Sequence, residues 1–478
     1  MPPSINEWLP KDHLARFILD VVDEMDLSAF YARHRDDGWG RAAFDPKMMT
    51  ALLLYNYCIG ERSSRKIERR CEEDIACRVI TANHVPDHTT IARFRQAHEA
   101  PLNGLFTQAL TLCAEAGLIK AGVVALDGTK IAADASLAAN RAADSIAKEV
   151  DKMLDDAAAI DAQEDNLFGE DRRGDELPAE LADPTSRIAR LKEAKARLDE
   201  EAKARQDAYD ERVQERKAKE AKSGKKLQGR KPKPPDPEEQ KKATANTTDP
   251  ESRIMKSASG YLQGYNGQAL VTEDQIVLAA ELTQQANDVH QLHPMIDQAT
   301  SNLDAAGIDD EIATVLADAG YWSEDNVTAG TDDTPELLIA TTKDWKQRKA
   351  MRERGAPKGR IPGGLSERER MERKLLTKRG QALYKKRGQT VEPVFGQIKD
   401  GRGADRFMRR GHSACDSEWK LMNTTHNLLK LWRSGRHSLG SGSQAGAWTE
   451  SGSHNMPPAR RAALVRLLLR HLHPRLAI

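Results

Sequence analysis

The 478-residue chain contains few aromatic residues, few cysteines and no long hydrophobic run. Phe, Trp and Tyr make up 5% of it and hydrophobic residues 39%, so a large core would be mainly aliphatic. Its five cysteines are scattered and odd in number, which argues against a disulfide framework or a zinc site and indicates a reducing compartment. The chain shows no signal-peptide pattern, and its apolar runs are too short to span a bilayer. We therefore expect a cytoplasmic protein of two or three domains that has no membrane partner.

Opposite charges balance over the whole chain but not within it. Lys and Arg number 73, and so do Asp and Glu, so the formal net charge is zero. Between Lys343 and Arg410, however, there are 22 Lys or Arg residues and only 8 Asp or Glu residues. A solvated helical surface usually interleaves the two signs, so this excess predicts a surface that binds a polyanion such as nucleic acid.

Residues 10–118 have the pattern of several short helices. Apolar residues recur at spacings of three and four between Leu14 and Met25, Pro46 suits the start of a helix, and Pro86 interrupts the pattern. Asp87 is a suitable N-cap for the next helix, which suggests an arrangement like a helix-turn-helix. The exposed side of that helix would contact DNA through Thr89, Thr90, Arg93 and Arg95. A helical bundle with a basic surface explains the same residues equally well.

A long polar insertion runs from Asn140 to about Asn246 and contains almost no aromatic residues. Its first half is acidic. Residues 186–222, rich in Ala, Glu, Lys and Arg, have apolar positions at spacings of three and four, which predicts a long surface helix, half of a helical hairpin or a coiled coil. The Lys- and Pro-rich stretch that follows predicts a flexible basic linker. The insertion would pair with a partner or contact the DNA backbone, unless it is only a tolerated surface insertion.

Two short apolar segments each end in an aspartate. Residues 123–126 are typical of a buried strand that ends at Asp127, after which Gly128 turns the chain. Residues 312–317 repeat this pattern before Asp318. The intervening segments 267–272 and 275–282 predict a β-hairpin. An aspartate at the end of a strand faces the cleft above a sheet, although an Asp-Gly pair there is more often only a turn.

A third carboxylate lies in the basic region. Glu392 precedes Pro393, which suits the first turn of a helix, and Lys399 lies two turns further along the same face. If the fold brings Asp127, Asp318 and Glu392 together, their mutual repulsion requires a cation, and Mg²⁺ prefers a few carboxylates together with water and substrate phosphate. Two such ions about 4 Å apart can promote phosphodiester cleavage. The sequence therefore predicts a metal-dependent enzyme that acts on nucleic acid.

Three blocks that carry these acids are LDGTKIAADAS, LADAGYWS and YKKRGQTVEPVFGQIK. They resemble the signature blocks of the DDE transposases of bacterial insertion sequences, in the branch related to the IS-five-like group. SSRKIERRCEED and PDHTTIARFRQAH also resemble the helical N-terminal domain of those enzymes. The resemblance covers residues 10–135 and 245–432. It implies a mixed α/β fold with an RNase-H-like catalytic core and a helical N-terminal domain, to which the long charged helical insertion is added.

The resemblance implies a transposase that cuts double-stranded DNA at the ends of an element and joins the freed 3′ hydroxyl to a target. Asp127, Asp318 and Glu392 would be the catalytic residues and would bind two Mg²⁺ ions, for which Mn²⁺ would substitute. Tyr384, Arg387 and Lys399 match, with Glu392, the Tyr-Arg-Glu-Lys signature of the family and would contact DNA, although the interval from Arg387 to Glu392 is one residue longer than usual. A homo-oligomer on DNA, associated with the nucleoid, is expected.

NTTDPESR resembles a further recurrent block of these transposases. It would place Asp249 and Arg253 near the active region, either as substrate contacts or as parts of a structural turn. Together the patterns predict five parts: a helical DNA-binding domain (1–119), the first core strand (120–139), the charged insertion and linker (140–245), the rest of the catalytic domain (246–432), and a Gly/Ser linker with a basic helix (433–478). We assign no function to the last part.

Three other functions were compatible with parts of the sequence. A catalytically inactive DNA-binding protein could retain the same fold, but all three acids are present. A tyrosine recombinase needs a nucleophilic tyrosine near its end, whereas the last tyrosine here is Tyr384. A structural coiled-coil protein would explain residues 186–222 but not the acids that follow the strands.

Overall fold

The computed structural model describes residues 5–32, 43–153, 155, 187–223, 231–257, 260–329, 334–355, 358–359 and 362–440. Within these ranges, eight helices precede the first strand. They are α1 (Ile5–Trp8), α2 (Leu14–Glu24), α3 (Ser28–Tyr31), α4 (Pro46–Cys58), α5 (Ser64–Glu73), α6 (Ile75–Ile80), α7 (His88–Ala97) and α8 (Glu99–Glu115).

Side-chain caps fix where several of these helices begin. The Asp45 carboxylate accepts a hydrogen bond from the Lys47 amide at the start of α4, and Asp87 accepts one from the Thr90 amide at the start of α7. Each bond satisfies an amide that the helix itself leaves unpaired. The predicted N-cap at Asp87 is therefore confirmed. Helix α4 is apolar on almost every side, which explains why it is buried at the centre of the N-terminal helices.

A mixed sheet forms the centre of the second half of the chain. Its strands are β1 (Val123–Ala132), β4 (Arg253–Ser257), β5 (Gly260–Thr272), β6 (Val277–Thr283), β7 (Thr314–Ala317) and β8 (Glu336–Ile339). The spatial order is β5-β1-β7-β8, and β4 and β6 pair with successive halves of the other edge of β5. Strands β1, β7 and β8 are parallel, whereas β5 is antiparallel to β1 and to β6.

The remaining helices cover the sheet. They are α12 (Leu292–Ala305), α13 (Glu324–Thr328), α14 (Trp345–Arg354), α15 (Glu367–Leu376), α16 (Lys378–Thr390), α17 (Glu392–Lys399) and α18 (His412–Gly440). Helix α18 packs against β6 and also against α4 and α8. Its Trp419 is fully buried, and the indole N–H donates to the Gln268 carbonyl at 3.0 Å. One hydrophobic core therefore extends from the N-terminal helices through α18 to the sheet.

The insertion has a small core of its own. It contains the paired strands β2 (Asn140–Ala142) and β3 (Thr244–Asn246) and three helices, α9 (143–153), α10 (Arg187–Ser223) and α11 (Pro237–Lys242). Ile146 and Val150 of α9 pack against the first half of α10 through Leu191, Ala194 and Leu198. The second half of α10 is mostly exposed. The long helix predicted for 186–222 is confirmed, while the acidic stretch 156–186 and residues 224–230 of the linker lie outside the described residues.

The mixed α/β fold class is confirmed, and the sheet order agrees with an RNase-H-like core. Two predicted boundaries are wrong. Strand β5 begins at Gly260 rather than near 267, because its first half pairs with β4, which the sequence patterns did not reveal. Residues 433–440 continue α18 instead of starting a linker, and the Ser434 hydroxyl donates to the Leu431 carbonyl within that helix. The predicted terminal helix lies outside the described residues.

No helix in the described ranges is long and apolar enough to cross a membrane. Apart from the boundary at residue 433, the division into five parts remains a prediction. The continuous core shows that the first and fourth of them are packed together through α18.

Candidate active site

Asp127 lies within β1, not at its end. The predicted turn at Gly128 is wrong, because β1 stays paired with β5 as far as the Ala132–Gly264 register. A glycine is needed at 128 for a different reason. A Cβ atom there would lie 2.5 Å from Gln268 Nε2 and 2.7 Å from Asp288 Oδ1, which is closer than real Cβ contacts.

The pairing of β1 with its other neighbour explains why Asp127 still borders a cleft. Strand β7 runs parallel to β1, and the last pair in their register is Leu126 with Ala317. An aspartate follows each of these two residues, so Asp127 and Asp318 lie next to each other where β7 ends. The Asp318 carboxylate accepts a hydrogen bond from the Gly320 amide at 2.6 Å, which holds the chain in a turn after the strand.

Arg387 joins the first and third acids. It lies on α16 and donates from Nη1 to Asp127 Oδ2 at 2.8 Å and from Nη2 to Glu392 Oε1 at 3.2 Å. Glu392 begins α17, as predicted, and its side chain is 61% exposed. Burial opposes the charge of Arg387, but Asp127, and then Tyr384 and Asp318, outweigh burial and raise the pKa of the guanidinium. The guanidinium of Arg387 thus lies between Asp127 and Glu392, and the charge of Asp318 acts on it as well.

Burial is the main influence on Asp127. It raises the pKa of this carboxyl to about 6, and the negative charge of Asp318 adds to the effect. Arg387 and the hydrogen bond from the Gly128 amide act in the opposite direction. At neutral pH Asp127 is therefore mainly ionised, but it takes up a proton about two pH units above the range of an ordinary aspartate.

In the described part of the chain, no three His, Cys, Asp or Glu side chains are already arranged around a possible metal ion. The guanidinium of Arg387 lies between Asp127 and Glu392 and accounts for this. The donor chemistry nevertheless suits a hard cation, because Asp127 and Asp318 offer adjacent carboxylates and Glu392 is exposed enough to reorient.

Tyr384 and Lys399, both predicted to contact DNA, bond to the strands instead. The Tyr384 hydroxyl donates to the Ala317 carbonyl at 3.2 Å, at the end of β7. Lys399 Nζ donates to Thr129 Oγ1 at 3.2 Å and to the Lys130 carbonyl at 3.0 Å, just beyond Asp127 on β1. Both side chains therefore support the backbone that carries the two aspartates.

Sequence patterns missed a fourth carboxylate, Asp288. Its Oδ1 atom accepts hydrogen bonds from Asn266 at 2.6 Å and from Gln268 at 2.8 Å, with Lys130 at 3.5 Å. A Cβ atom added at Gly320 would lie 2.8 Å from Asp318 Oδ1 and 3.2 Å from Asp288 Oδ2, so both acids border the same small space.

A buried tyrosine links Asp288 to the loop that follows Asp318. The Tyr321 hydroxyl donates to Gln268 Oε1, and the Tyr321 amide donates to the Asp318 carbonyl at 3.3 Å. Burial, reinforced by the charge of Asp288, raises the pKa of Tyr321 well above its ordinary value, so the hydroxyl remains a donor. The sequence signal that could have indicated this network was a pair of polar residues two apart in β5. These residues are Asn266 and Gln268, and both are fully buried.

The structure separates the two arginines predicted to contact DNA from α7. Arg93 is exposed. Arg95 is only 6% exposed, and its guanidinium donates to the Tyr57 hydroxyl, the Arg62 carbonyl and the Ser64 hydroxyl. DNA cannot reach Arg95 in this arrangement, because α7 turns it toward α4 and α5 rather than outward, so the structure does not support that contact. Thr89 and Thr90 donate to the Asp87 cap.

The block around Asp249 forms a structural turn. Asp249 is fully buried and accepts hydrogen bonds from the Tyr265 hydroxyl at 2.9 Å and the Gly411 amide at 3.3 Å. Arg253 donates to the carbonyls of residues 250–252 and to Glu201 of α10. Of the two roles considered for this block, the observed contacts favour the structural one.

Two family models match the chain. Residues 3–97 match the family described as "Transposase domain (DUF772)", and residues 364–432 match the "Transposase DDE domain". The second match includes Tyr384, Arg387, Glu392 and Lys399. No curated protein and no solved structure matches the chain. Since one match lies in the N-terminal helices and the other in the helices beside the paired aspartates, together they support the assignment of this chain as a DDE transposase of an insertion sequence.

Proposed function

We propose that this transposase cuts and rejoins DNA by a metal-dependent mechanism in which Asp127, Asp318 and Glu392 are the catalytic carboxylates. The main support is the parallel register that ends at Leu126 and Ala317, because it sets two carboxylates next to each other at the carboxyl end of β7. The bridge from Asp127 through Arg387 to Glu392 brings the third acid to the same place.

Asp127 and Asp318 would hold a divalent cation first, since the strands fix both of them. Glu392 would complete the site by turning from Arg387 toward the aspartates. When bound, Mg²⁺ or Mn²⁺ supplies Lewis-acid activation of an attacking hydroxyl and stabilisation of the leaving oxygen. Two ions bound by three carboxylates are the arrangement that the family resemblance implies, and it remains part of this proposal.

Arg387 cannot stay between Asp127 and Glu392 while both acids bind the same cation. The guanidinium is planar and presents several N–H donors, which suits bidentate contact with phosphate. We therefore expect Arg387 to release the carboxylates and to bind a phosphate group of the DNA strand beside them. Lys399 is close enough to β1 to contribute a second positive charge there.

Double-stranded DNA would bind over the basic surface of residues 343–410, with Arg93 as an additional contact from the N-terminal helices. Lys346 and Lys349 are exposed on α14, and Arg370 is exposed on α15. We also expect a homo-oligomer on paired element ends. A single-copy mass for the protein–DNA complex in light scattering would contradict that expectation.

Strand cleavage of labelled element-end DNA in Mg²⁺ or Mn²⁺ tests the proposal. Asp127→Asn, Asp318→Asn and Glu392→Gln keep the side-chain shapes and remove one charge each. We expect each to reduce cleavage by about 10²-fold or more while DNA binding persists. Asp400→Asn, at the exposed end of α17, is the matched control and should cut like the wild type.

The alternative function is DNA binding without catalysis by a protein that retains the fold. The arrangement of Arg387 between two of the acids would be permanent in that case. A wild-type protein that binds element ends but cuts them with neither metal would favour this alternative, and a triad variant that cuts normally would show that its carboxylate is structural.

A further inference from the structure

An open groove lies where β1 ends, on the far side of Lys399 from Asp127. It has a volume of about 710 Å³, and its lining includes Ala132, Leu137, Tyr261, Gln263, Arg406 and Arg410. We call it the β1-end groove. Arg406 and Arg410 belong to the basic surface of residues 343–410, and the other four belong to no predicted catalytic or DNA-binding set.

Two residues of the groove, Tyr261 and Gln263, lie on the face of the sheet that bears Asp127. Asp127 is paired with Ala269, and directly paired residues of antiparallel strands point to the same face. Because side chains on a strand alternate with a period of two, Ala269 and Tyr261 of β5 also share a face. Tyr261 therefore lies on the side of the sheet that bears Asp127, and exposed Lys256 is its cross-strand neighbour on β4.

Positive charges mark a path from the aspartates to the groove. In the described sheet, β7 pairs with β1 only as far as Leu126, so the edge of β1 beyond this point carries no strand. Lys399 bonds to β1 at Thr129 and Lys130, and Arg406 pairs with Ala132. Five residues of strand separate Asp127 from Ala132, about 17 Å at the usual rise, or roughly five nucleotide steps of a B-form strand.

The groove combines an accessible aromatic ring with an available cation. Tyr261 is 67% exposed, whereas residues 263–272 of the same strand are buried. Arg410 is paired with Asp134 at 2.9 Å, whereas the exposed Arg406 side chain makes no hydrogen bond or ion pair within the described ranges. Aromatic rings beside cations are the usual means of binding a nucleic-acid strand without regard to its sequence.

We propose that the β1-end groove binds the DNA strand that leaves the catalytic carboxylates. Arg406 contacts a phosphate, Arg410 does so when Asp134 releases it, and Tyr261 packs against a base or sugar. The inference rests on the proposed function, since it places the scissile phosphate at Asp127. Charge complementarity and continuity along the edge of β1 favour DNA over an apolar protein segment as the occupant.

Fluorescence anisotropy with a labelled oligothymidine strand tests the groove without knowledge of the element ends. Arg406→Ala is compared with Arg212→Ala, which removes an exposed arginine from α10. Tyr261→Leu is compared with Tyr261→Phe, which keeps the ring. We expect Arg406→Ala to weaken binding about threefold to tenfold and to lower the slope of log affinity against log salt by about 0.7. Tyr261→Leu should weaken binding about tenfold, and Tyr261→Phe should bind like the wild type.

Equal effects of Arg406→Ala and Arg212→Ala, or equal binding by the two Tyr261 variants, would overturn the inference. The same proteins are also assayed for metal-dependent cleavage of element-end DNA. If the wild type cuts while the groove variants bind normally, the groove inference fails and the proposed function stands. If the groove variants lose binding as expected but the wild type never cuts, the groove stands and the proposed function fails.

Discussion

Asp127 and Asp318 are held by the backbone register of two parallel strands, whereas Glu392 is held by a side chain, that of Arg387. The two aspartates cannot separate unless β1 and β7 do. Glu392 is exposed on the first turn of α17 and needs only a rotamer change to leave Arg387. The candidate active site thus has a rigid half on the sheet and an adjustable half on the helices.

The sheet would therefore determine where a cation binds, and the helices would determine when the site is complete. A side chain that changes its ion-pair partner leaves the backbone as ordered as before, so the change costs little conformational entropy. Glu392 can therefore exchange Arg387 for a metal ion. Substitutions in one half at a time can therefore separate the two contributions.

Substitution of the acids should change the affinity for a cation most of all. Asp127→Asn should weaken Mn²⁺ binding at least about a hundredfold, because one of the two carboxylates in the fixed pair becomes an amide. Glu392→Gln should weaken it less than about tenfold, because this exposed acid is not fixed by the sheet and would reach the cation only after a rotamer change. Isothermal titration calorimetry on the DNA-free proteins measures both constants. Equal losses in the two variants would mean that the halves do not differ.

Sequence patterns located this site better than they located its surroundings. Asp127 and Asp318 could be predicted because an acid directly after a run of apolar residues is a local signal. The register that sets them side by side arises from pairing across 191 residues of chain, so it could not be read from either segment alone. Asp288 was missed because its neighbours, Asn266 and Gln268, come from another strand. The burial of Arg95 depends on Tyr57 of α4 in the same way.

One glycine lies in each half of the site, so the same change to alanine can be made in both halves and compared. Gly128→Ala should lower the free energy of unfolding by about 1–3 kcal/mol, because the new methyl group would overlap Gln268 and Asp288. Gly388→Ala, within α16, should leave stability unchanged or raise it by up to about 1 kcal/mol, since alanine favours a helix and the nearest atom, Glu392 Oε1 at 3.3 Å, belongs to a flexible side chain.

Chemical denaturation of both glycine variants, followed by circular dichroism, provides the comparison. A destabilised Gly388→Ala protein with an unaffected Gly128→Ala protein would reverse the assignment of rigid and adjustable halves. Cleavage should follow stability, with Gly128→Ala impaired and Gly388→Ala close to the wild type.

Asp288 belongs to the rigid half of the site, because it accepts hydrogen bonds from two side chains of the sheet. Asp288→Ala leaves the amides of Asn266 and Gln268 and the ammonium group of Lys130 without their shared acceptor, which should cost about 1–3 kcal/mol of folding stability. It should also slow cleavage, because Gln268 and Tyr321 then no longer fix the loop after Asp318. Asp288→Asn retains an acceptor and should recover most of the stability. A fully stable alanine variant would show that this network does not hold the loop.

The smallest expected effect is a shift along the pH axis. A proton and a cation compete for Asp127, whose pKa is raised to about 6, so Mn²⁺ affinity should be full above this pH and fall by up to about tenfold per pH unit below it. Arg387→Ala removes a positive charge that lowers the pKa of Asp127, so the midpoint of this profile should move to higher pH. Mn²⁺ titrations at a series of pH values measure both midpoints. A profile that stays in place in Arg387→Ala would show that the helix-borne arginine does not control the ionisation of the sheet-borne acid, and that the two halves of the site act independently.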